Sequence, residues 1–183
     1  VAAAFIVGLA LVFVMWVLRN IPNWTDVKWM LKGGGLFVKG VHPDSYKFNA
    51  GQKLIFWSTI LGGASLSLSG VALMFPGETA MMAKTFAVFN DVLGTTLPTE
   101  LSVREEMQLQ ASWHAIVAFV MIAVIVAHIY IGSLGMEGAF AAMGSGQVDL
   151  NWAKEHHNLW VDEVQGAPYG SSTSDKGAAT PAE

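Results

Sequence analysis

Residues 107–136 read MQLQASWHAIVAFVMIAVIVAHIYIGSLGM. These 30 residues contain no Asp, Glu, Lys or Arg, and residues 1–18 and 54–77 share that property. Since a helix rises about 1.5 Å per residue, roughly 20 apolar residues cross a hydrocarbon core of roughly 30 Å. The sequence therefore predicts an all-α membrane bundle with three transmembrane helices, over about residues 1–18, 54–75 and 108–134, plus shorter interfacial helices.

The composition excludes several classes of protein. The chain of 183 residues is 53% hydrophobic and 13% charged, whereas soluble domains carry roughly 25% charged residues. A soluble enzyme, a disordered chain and a nucleic-acid-binding protein are therefore poor interpretations. The chain has no cysteine, so it cannot hold an iron–sulfur cluster or covalently attached haem. Any redox centre in it must be bound by His, Met, Tyr or carboxylate.

The connectors between the apolar stretches differ in their basic residues. Residues 19–53 carry six Lys or Arg, and residues 76–106 carry two. Because short cytoplasmic loops concentrate Lys and Arg, we expect residues 19–53 on the cytoplasmic side. Three spans then place the C-terminus in the cytoplasm too. In the second connector, an apolar stretch around residues 86–93 and a breaker at Pro98 predict a short interfacial helix.

The two ends of the chain carry separate expectations. The first apolar stretch has no starting Met and no basic segment before it. We therefore expect a transmembrane helix entered after its beginning, with residues lost upstream, rather than a signal peptide. Residues 1–163 are predicted to form the membrane domain. Residues 164–183, rich in Gly, Ser, Thr and Ala, are predicted to be a disordered tail.

Two histidines, His114 and His128, lie inside the third predicted span, where ionisable residues are functional candidates. Their separation of 14 residues advances a helix by about 1400° and about 21 Å, so both imidazoles face one side. Neutral imidazole is the common axial ligand of haem iron and brings no charge to that depth. The spacing predicts one haem near each membrane surface, although interhelical hydrogen bonds and proton relays also use membrane histidines.

The number of histidines limits this interpretation. Two haems with two histidines each need four ligands, and the predicted spans supply two. Met121 lies on the same helical stripe, but a Met at this spacing more often packs than ligates. The missing ligands are expected from another chain or from sequence before Val1. The histidines outside the spans are predicted to be structural or solvated: His42, His156 and His157.

The second predicted span is rich in small residues. In lipid, small residues let a neighbouring helix or a flat ligand approach the backbone closely. For any single residue, helix packing is the more frequent explanation, and the ligand groove stays open as the alternative. The small residues are Gly62, Gly63, Ala64, Ser65, Ser67, Ser69 and Gly70.

A polar cluster precedes the second span, at residues 48–53 (FNAGQK). The amides of Asn49 and Gln52 can donate hydrogen bonds to a quinone carbonyl, and Gly51 permits close backbone approach. The alternative is helix capping, with Asn49 as the cap, Gly51 as a loop residue and Lys53 reaching towards the lipid headgroups. Spacing alone leaves both interpretations open.

Several stretches carry a resemblance to a known family. They are NIP at 20–22, YKFNAGQK at 46–53 with FWS at 56–58, His114 with HIY at 128–130, and WAKEHH at 152–157. Together, over about residues 10–163, they resemble the gamma subunit of respiratory formate dehydrogenase. That subunit is the cytochrome b membrane component of a quinone-reducing complex. The N-A-G-Q-K and W-A-K-x-H-H patterns are more specific than hydropathy.

The resemblance implies four transmembrane helices, two haems b and a quinone site on the cytoplasmic side of a bacterial inner membrane. By resemblance, His114 binds the outer haem iron and His128 the inner one, while Asn49, Gly51 and Gln52 line the pocket for menaquinone or ubiquinone. The family's other two haem ligands would lie upstream of this sequence.

The same resemblance implies two partner subunits in addition to membrane lipid. Electrons would arrive from an iron–sulfur beta subunit and pass through the haems to quinone. Formate oxidation would belong to an alpha subunit that carries molybdenum or tungsten, so no catalytic residue for formate is expected in this chain. Nucleic acid is not an expected partner.

Two other functions stay open on the sequence. One is the cytochrome b subunit of a membrane-bound hydrogenase, a relative that differs in its partner. The other is a haem-free membrane anchor for a peripheral enzyme, which the small-residue span and the amphipathic tail suit equally well. A haem spectrum separates the anchor from both cytochromes.

Overall fold

The computed structural model describes residues 2–35 and 42–166, and within them every regular element is helical. A 3-10 turn at Gly33–Gly35 follows the second helix, and a π-helical turn at Ile131–Gly135 follows the fifth. This architecture confirms the predicted all-α class. In chain order the α-helices are α1 (Ala2–Arg19), α2 (Trp24–Leu31), α3 (Ala50–Met74), α4 (Met81–Leu93), α5 (Val103–Tyr130), α6 (Ala139–Gly144), α7 (Leu150–His156) and α8 (Asn158–Gln165).

Three helical segments of the described chain are long and apolar enough to cross a membrane: Ala2–Arg19, Ala50–Met74 and Val103–Gly135. They confirm the three predicted spans. The second and third begin a few residues earlier than predicted, because each takes charged residues into its first turn. In α5 these include Glu105 and Glu106, whose negative charges suit the positive end of the helix dipole.

Reciprocal caps start α2 and α5. At α2, Asn23 Oδ1 accepts the backbone N–H of Asp26 at 3.1 Å, and Asp26 Oδ2 accepts the N–H of Asn23 at 2.7 Å. At α5, Glu105 Oε2 accepts the N–H of Ser102 at 2.9 Å, and the Ser102 hydroxyl oxygen accepts the N–H of Glu105 at 3.3 Å. Each pair satisfies backbone donors that a helix start leaves without an internal partner.

The described chain divides into two compact units. One combines the residues up to Leu54 with those from Ile131 onward, and the other is Ile55–Tyr130. In the second unit, the short helix predicted around residues 86–93 is confirmed as α4. The buried carboxylate of Glu106 accepts hydrogen bonds from the backbone N–H groups of Met82 and Ala83 at the start of α4.

In the first unit, the segment before α3 is bonded to the start of α8. The N–H of Ser45 donates to Asn158 Oδ1 at 3.0 Å, and the N–H of Leu159 donates to the Ser45 carbonyl oxygen at 3.2 Å. Helix α8 ends at Gln165, where Gly166 adopts the left-handed conformation at φ 69°. The remainder of the predicted disordered tail, residues 167–183, lies outside the described residues.

Candidate functional site

His114 lies on α5, and a hydrogen bond to α3 holds its ring. Its Nδ1 atom is 2.7 Å from the hydroxyl oxygen of Ser69, and that oxygen is 3.1 Å from the carbonyl oxygen of Leu66. Ser69 is 1% exposed, and His114 is half-buried. One residue earlier, Trp113 donates its indole N–H to the Ser65 hydroxyl oxygen at 2.9 Å. Two serines one turn apart on α3 therefore hold two adjacent side chains of α5.

His128 lies 14 residues further along the same uninterrupted α-helix. An α-helix of that length places the two imidazoles on one side, about 21 Å apart along the axis. His128 is exposed, and within the described chain its ring makes no hydrogen bond. The π-helical turn at Ile131–Gly135 follows directly, a distortion that is frequent at functional sites. The ring of His128 is thus open to a ligand.

Between the two histidines, Met121 packs against α3. A Cβ atom built on Gly62 would overlap the sulfur atom of Met121. A Cβ atom on Gly70 would lie 3.7 Å from Cε1 of His114, at ordinary contact distance. The small residues of α3 thus admit side chains of α5, and the structure favours packing over iron ligation for Met121.

Asn49 and Gln52 form a reciprocal cap at the start of α3. Asn49 Oδ1 accepts the backbone N–H of Gln52, and Gln52 Oε1 accepts the backbone N–H of Asn49, each at 2.9 Å. These bonds use the amide oxygens of both side chains. Their amide nitrogens donate to no residue in the described part of the chain. Both side chains therefore keep donors that could serve a ligand.

The capping interpretation is confirmed for Asn49 but is wrong for Gly51 and Lys53. Gly51 lies within α3 rather than in a loop, and a Cβ atom there would be 3.2 Å from the ring of Trp29 and 3.3 Å from Asn49 Oδ1. Lys53 is buried rather than extended to the headgroups, because its ammonium group pairs with Asp26 at 2.7 Å. Glycine at position 51 leaves room for the indole of α2.

The three histidines outside the spans have structural surroundings, as predicted. His42 Nε2 is 2.6 Å from Glu155 Oε1, and His156 stacks on Trp152 with ring centroids 4.5 Å apart. The buried His157 donates from Nδ1 to the carbonyl oxygen of Tyr46 at 2.9 Å. Through these contacts, the W-A-K-x-H-H motif at residues 152–157 holds the segment that leads to Asn49.

His157 has a lowered pKa because burial disfavours its charged form. The neighbouring His156 adds to this lowering, and the hydrogen bond to the Tyr46 carbonyl opposes it. Burial therefore favours the neutral form of His157, and the bond to the Tyr46 carbonyl oxygen favours the proton on Nδ1.

The donor atoms fit haem b better than a metal ion bound by protein alone. Among the described residues, no group of three or more His, Asp or Glu could hold a metal ion. A haem iron needs only one neutral imidazole nitrogen on each side. His114 has Nδ1 hydrogen-bonded and Nε2 without a partner in the described chain, and His128 has an exposed ring.

Several partners of the candidate residues could not be found from the sequence. Ser69 precedes His114 by 45 residues, and Asp26 precedes Lys53 by 27. Ser69 is one of three serines in the second span with similar neighbours, so only the packing of α3 against α5 selects it. The capping box of Asp26 involves residues close to it in the sequence, whereas its ion pair with Lys53 does not.

The chain is similar to known cytochrome b proteins. The family model described as prokaryotic cytochrome b561 matches residues 1–146. The nitrate-inducible formate dehydrogenase cytochrome b556(Fdn) subunit of Escherichia coli K12 is 30% identical over 166 residues, which cover 90% of this chain and 67% of that protein. The formate dehydrogenase cytochrome b556(fdo) subunit of the same strain is 31% identical over 147 residues, 80% of this chain and 60% of that protein.

A relative from a second genus is also named as a formate dehydrogenase cytochrome subunit. The formate dehydrogenase cytochrome b556 subunit of Haemophilus influenzae is 27% identical over 148 residues, 79% of this chain and 53% of that protein. The chain thus spans about half to two thirds of the length of these relatives. A b-type cytochrome carries haem b, and the three long apolar helices make this an integral membrane protein. The chain belongs to the prokaryotic cytochrome b561 family.

Proposed function

We propose that this chain is the haem b electron-transfer subunit of a formate dehydrogenase complex and reduces quinone at the membrane. One observation carries the proposal: a single continuous helix bears His114 and His128 on one side, and His114 is already held by Ser69. The relatives named as formate dehydrogenase subunits suggest which complex it serves. Residues 1–163 would form the membrane domain.

The two histidines would each bind the iron of a haem b through an imidazole nitrogen, with His114 at the outer haem and His128 at the inner one. When bound, haem b supplies a centre that accepts and releases one electron. Both rings can bind iron while neutral, so the protein needs no counter-charge at that depth. In the membrane, the apolar side chains between the histidines would keep water from this part of the helix.

Asn49 and Gln52 would bind the quinone through their amide nitrogens. Their amide oxygens are used in the cap of α3, which fixes the direction in which each N–H2 group points. Gly51 contributes by having no side chain, because a Cβ atom would crowd both Trp29 and the amide of Asn49. Menaquinone and ubiquinone both present the carbonyl oxygens that such donors would bind.

The proposed orientation follows from the basic residues. Residues 19–53 hold six of the ten Lys and Arg of the chain, which would place this connector and the C-terminus on the cytoplasmic side of the inner membrane. Protons for quinone reduction would then come from the cytoplasm. The chain has no cysteine, so an iron–sulfur subunit and a molybdenum or tungsten subunit would carry electron delivery and formate oxidation.

The first test is the visible spectrum of the purified complex, reduced minus oxidised, for the wild type and three variants. We expect His114→Ala to lose one haem and His128→Ala to lose the other. His42→Ala, which removes a contact with Glu155 outside the spans, should keep both. A wild-type complex without haem bands would indicate the haem-free anchor, and full haem content in both alanine variants of α5 would disprove the ligand assignment.

The quinone site needs variants that preserve the cap. Asn49→Asp and Gln52→Glu keep the oxygen atoms that accept the backbone N–H groups, and both remove the amide donors. We expect a higher KM for quinone and slower quinone reduction, with unchanged reduction of haem by formate. Unchanged quinone kinetics in both variants would leave capping as the role of these residues.

Copurification with formate dehydrogenase rather than hydrogenase subunits tests which complex the chain belongs to.

A further inference from the structure

Ser69 has two polar partners and one proton to share between them. Its hydroxyl oxygen is 2.7 Å from His114 Nδ1 and 3.1 Å from the carbonyl oxygen of Leu66. At 1% exposure, Ser69 has almost no access to water. The hydrogen bonds of Ser69, His114 Nδ1 and the Leu66 carbonyl oxygen must therefore be satisfied among these three groups, without water.

The carbonyl oxygen of Leu66 can only accept a hydrogen bond. A serine hydroxyl inside a helix commonly donates to the carbonyl oxygen three or four residues earlier. If the proton of Ser69 points to Leu66, the hydroxyl oxygen must accept the proton of His114 Nδ1. This arrangement satisfies all three atoms, whereas donation to Nδ1 would leave two oxygen lone pairs facing each other.

We propose that Ser69 is a positioning residue that holds His114 with its proton on Nδ1, so that the Nε2 lone pair is directed to haem iron. The inference rests on the proposed function, because it takes His114 as an iron ligand. A hydrogen bond to the remote nitrogen orients a metal-bound imidazole and raises its basicity. A more basic ligand stabilises the oxidised iron, so Ser69 lowers the midpoint potential of the haem that His114 binds.

The neighbouring contacts support this orientation. Trp113 donates to Ser65 at 2.9 Å, one helical turn from the bond between Ser69 and His114. Gly70 lies close enough that a Cβ atom there would be 3.7 Å from Cε1 of the His114 ring. The ring is thus bounded on one side by the backbone of α3 and fixed at Nδ1 by a buried hydroxyl.

The test is an equilibrium redox titration of the purified complex, followed by haem absorbance and by EPR. For Ser69→Ala we expect one haem to be retained with a raised midpoint potential and the second haem to be unchanged. A tenfold change in the ratio of reduced to oxidised haem, equal to about 59 mV for one electron, is the expected size. Ser69→Thr, which keeps a hydroxyl group, should retain the wild-type potential and EPR spectrum.

Ser67→Ala is the matched control. The Ser67 hydroxyl lies on the same helix and donates to the Gly63 carbonyl oxygen at 2.9 Å, without a histidine partner. Its removal should leave both potentials unchanged. Unchanged potentials in Ser69→Ala, or an equal shift of both haems there, would overturn the role of Ser69.

If Ser69→Ala loses the haem altogether, Ser69→Thr decides the matter. Recovery of the haem at its wild-type potential supports positioning by the hydroxyl, and continued loss overturns it. Failure of the proposed function is distinguishable, because His114→Ala would then keep both haems whatever the result at Ser69.

Discussion

The ammonium nitrogen of Lys53 lies 2.7 Å from Oδ2 of Asp26, and the two side chains are only 7% and 11% exposed. The pair joins the first turn of α3 to the first turn of α2. Lys53 also donates to the carbonyl oxygen of Ile21 at 3.3 Å. Because Lys53 directly follows Gln52, this ion pair fixes the helical turn that carries the proposed quinone ligands.

Replacing Lys53 by methionine should destabilise the first turn of α3 strongly. The substitution leaves the buried carboxylate of Asp26 without its opposite charge, at a cost of about 3 kcal/mol. We expect a lower thermal unfolding midpoint, measured by circular dichroism of the purified complex in detergent. Quinone reduction should weaken with it, since Asn49 and Gln52 share this turn.

Two further variants identify the buried pair as the cause. Lys28→Met removes an exposed lysine of α2 and should change the unfolding midpoint little. Adding Asp26→Asn to Lys53→Met should recover most of the lost stability, because asparagine keeps an oxygen for the α2 cap and removes the unpaired charge. Equal losses in Lys28→Met and Lys53→Met would contradict this explanation.

The attachment of residues 157–159 to residues 44–46 should weaken as pH falls. Burial lowers the pKa of His157 below its usual value, so the unfolded segment takes up a proton at a higher pH than the folded one. The neutral form supports folding fully above the usual histidine pKa of about 6.5. Stability is then lost as pH falls from that value towards the lower folded pKa.

Limited proteolysis of the holo complex at pH 7.5 and pH 5.5 measures this dependence. Cleavage between residues 150 and 166 should be faster at the lower pH. His157→Gln keeps a side-chain donor but cannot titrate in this range, so its cleavage rate should depend less on pH. His156→Gln, at a half-buried neighbouring position, should retain most of the wild-type dependence, because burial lowers the pKa of His157 more than His156 does. An identical pH response in wild type and His157→Gln would exclude His157 as its source.

The contact between Gly62 and Met121 should limit side-chain size on α3. A Cβ atom at Gly62 would overlap the Met121 sulfur atom, whereas one at the adjacent Gly63 would meet nothing within 4 Å. Gly62→Val should therefore lower the thermal midpoint more than Gly63→Val, by a free energy of about 1–3 kcal/mol typical of overpacking. The two substitutions share the same change in helix propensity.

A compensating change tests the cause of that loss. Combining Gly62→Val with Met121→Ala should restore much of the stability, because the smaller side chain gives back the space. If Met121 were an iron ligand instead, Met121→Ala would remove a haem band on its own. Retention of all haem absorbance in Met121→Ala is the outcome that packing requires.

The sequence predicted the elements whose causes are local. Three charge-free stretches were sufficient for the three long helices, because crossing length and apolar composition are properties of continuous segments. The short helix around residues 86–93, which is the second half of α4, was predicted for the same reason. The common face of His114 and His128 followed from helix periodicity once α5 was assigned.

Relationships between distant segments could not be predicted in this way. Nothing near Ser69 distinguishes it from Ser65 or Ser67, and its role depends on which face of α3 meets His114. The capping alternative placed Lys53 at the headgroups, and nothing in the local sequence points to its partner Asp26 on another helix. The π-helical turn at Ile131–Gly135 has no sequence pattern that distinguishes it from an α-helical turn. Its hydrogen-bond pattern therefore could not be predicted from the sequence.

Glu106 should control the stability of α4 from a position on α5. Its buried carboxylate accepts the backbone N–H groups of Met82 and Ala83, two of the donors that a helix start leaves unsatisfied. The residue before this helix, Ala80, has φ 45° and provides no side-chain cap. A carboxylate at this end is also favoured by the helix dipole. Glu106 thus supplies the cap that the local sequence lacks.

Hydrogen exchange of the Met82 and Ala83 amides, followed by mass spectrometry of peptides covering α4, measures this contribution. Glu106→Ala should remove a cap of about 1–2 kcal/mol, which corresponds to roughly tenfold faster exchange at those amides. Glu106→Gln, which keeps one oxygen acceptor and loses the charge, should give an intermediate rate. Glu105→Ala is the matched control, because Glu105 is exposed and caps α5 through Ser102. If Glu105→Ala accelerates exchange in α4 as much as Glu106→Ala does, the effect is a general loosening of α5, and the specific cap of α4 by Glu106 is wrong.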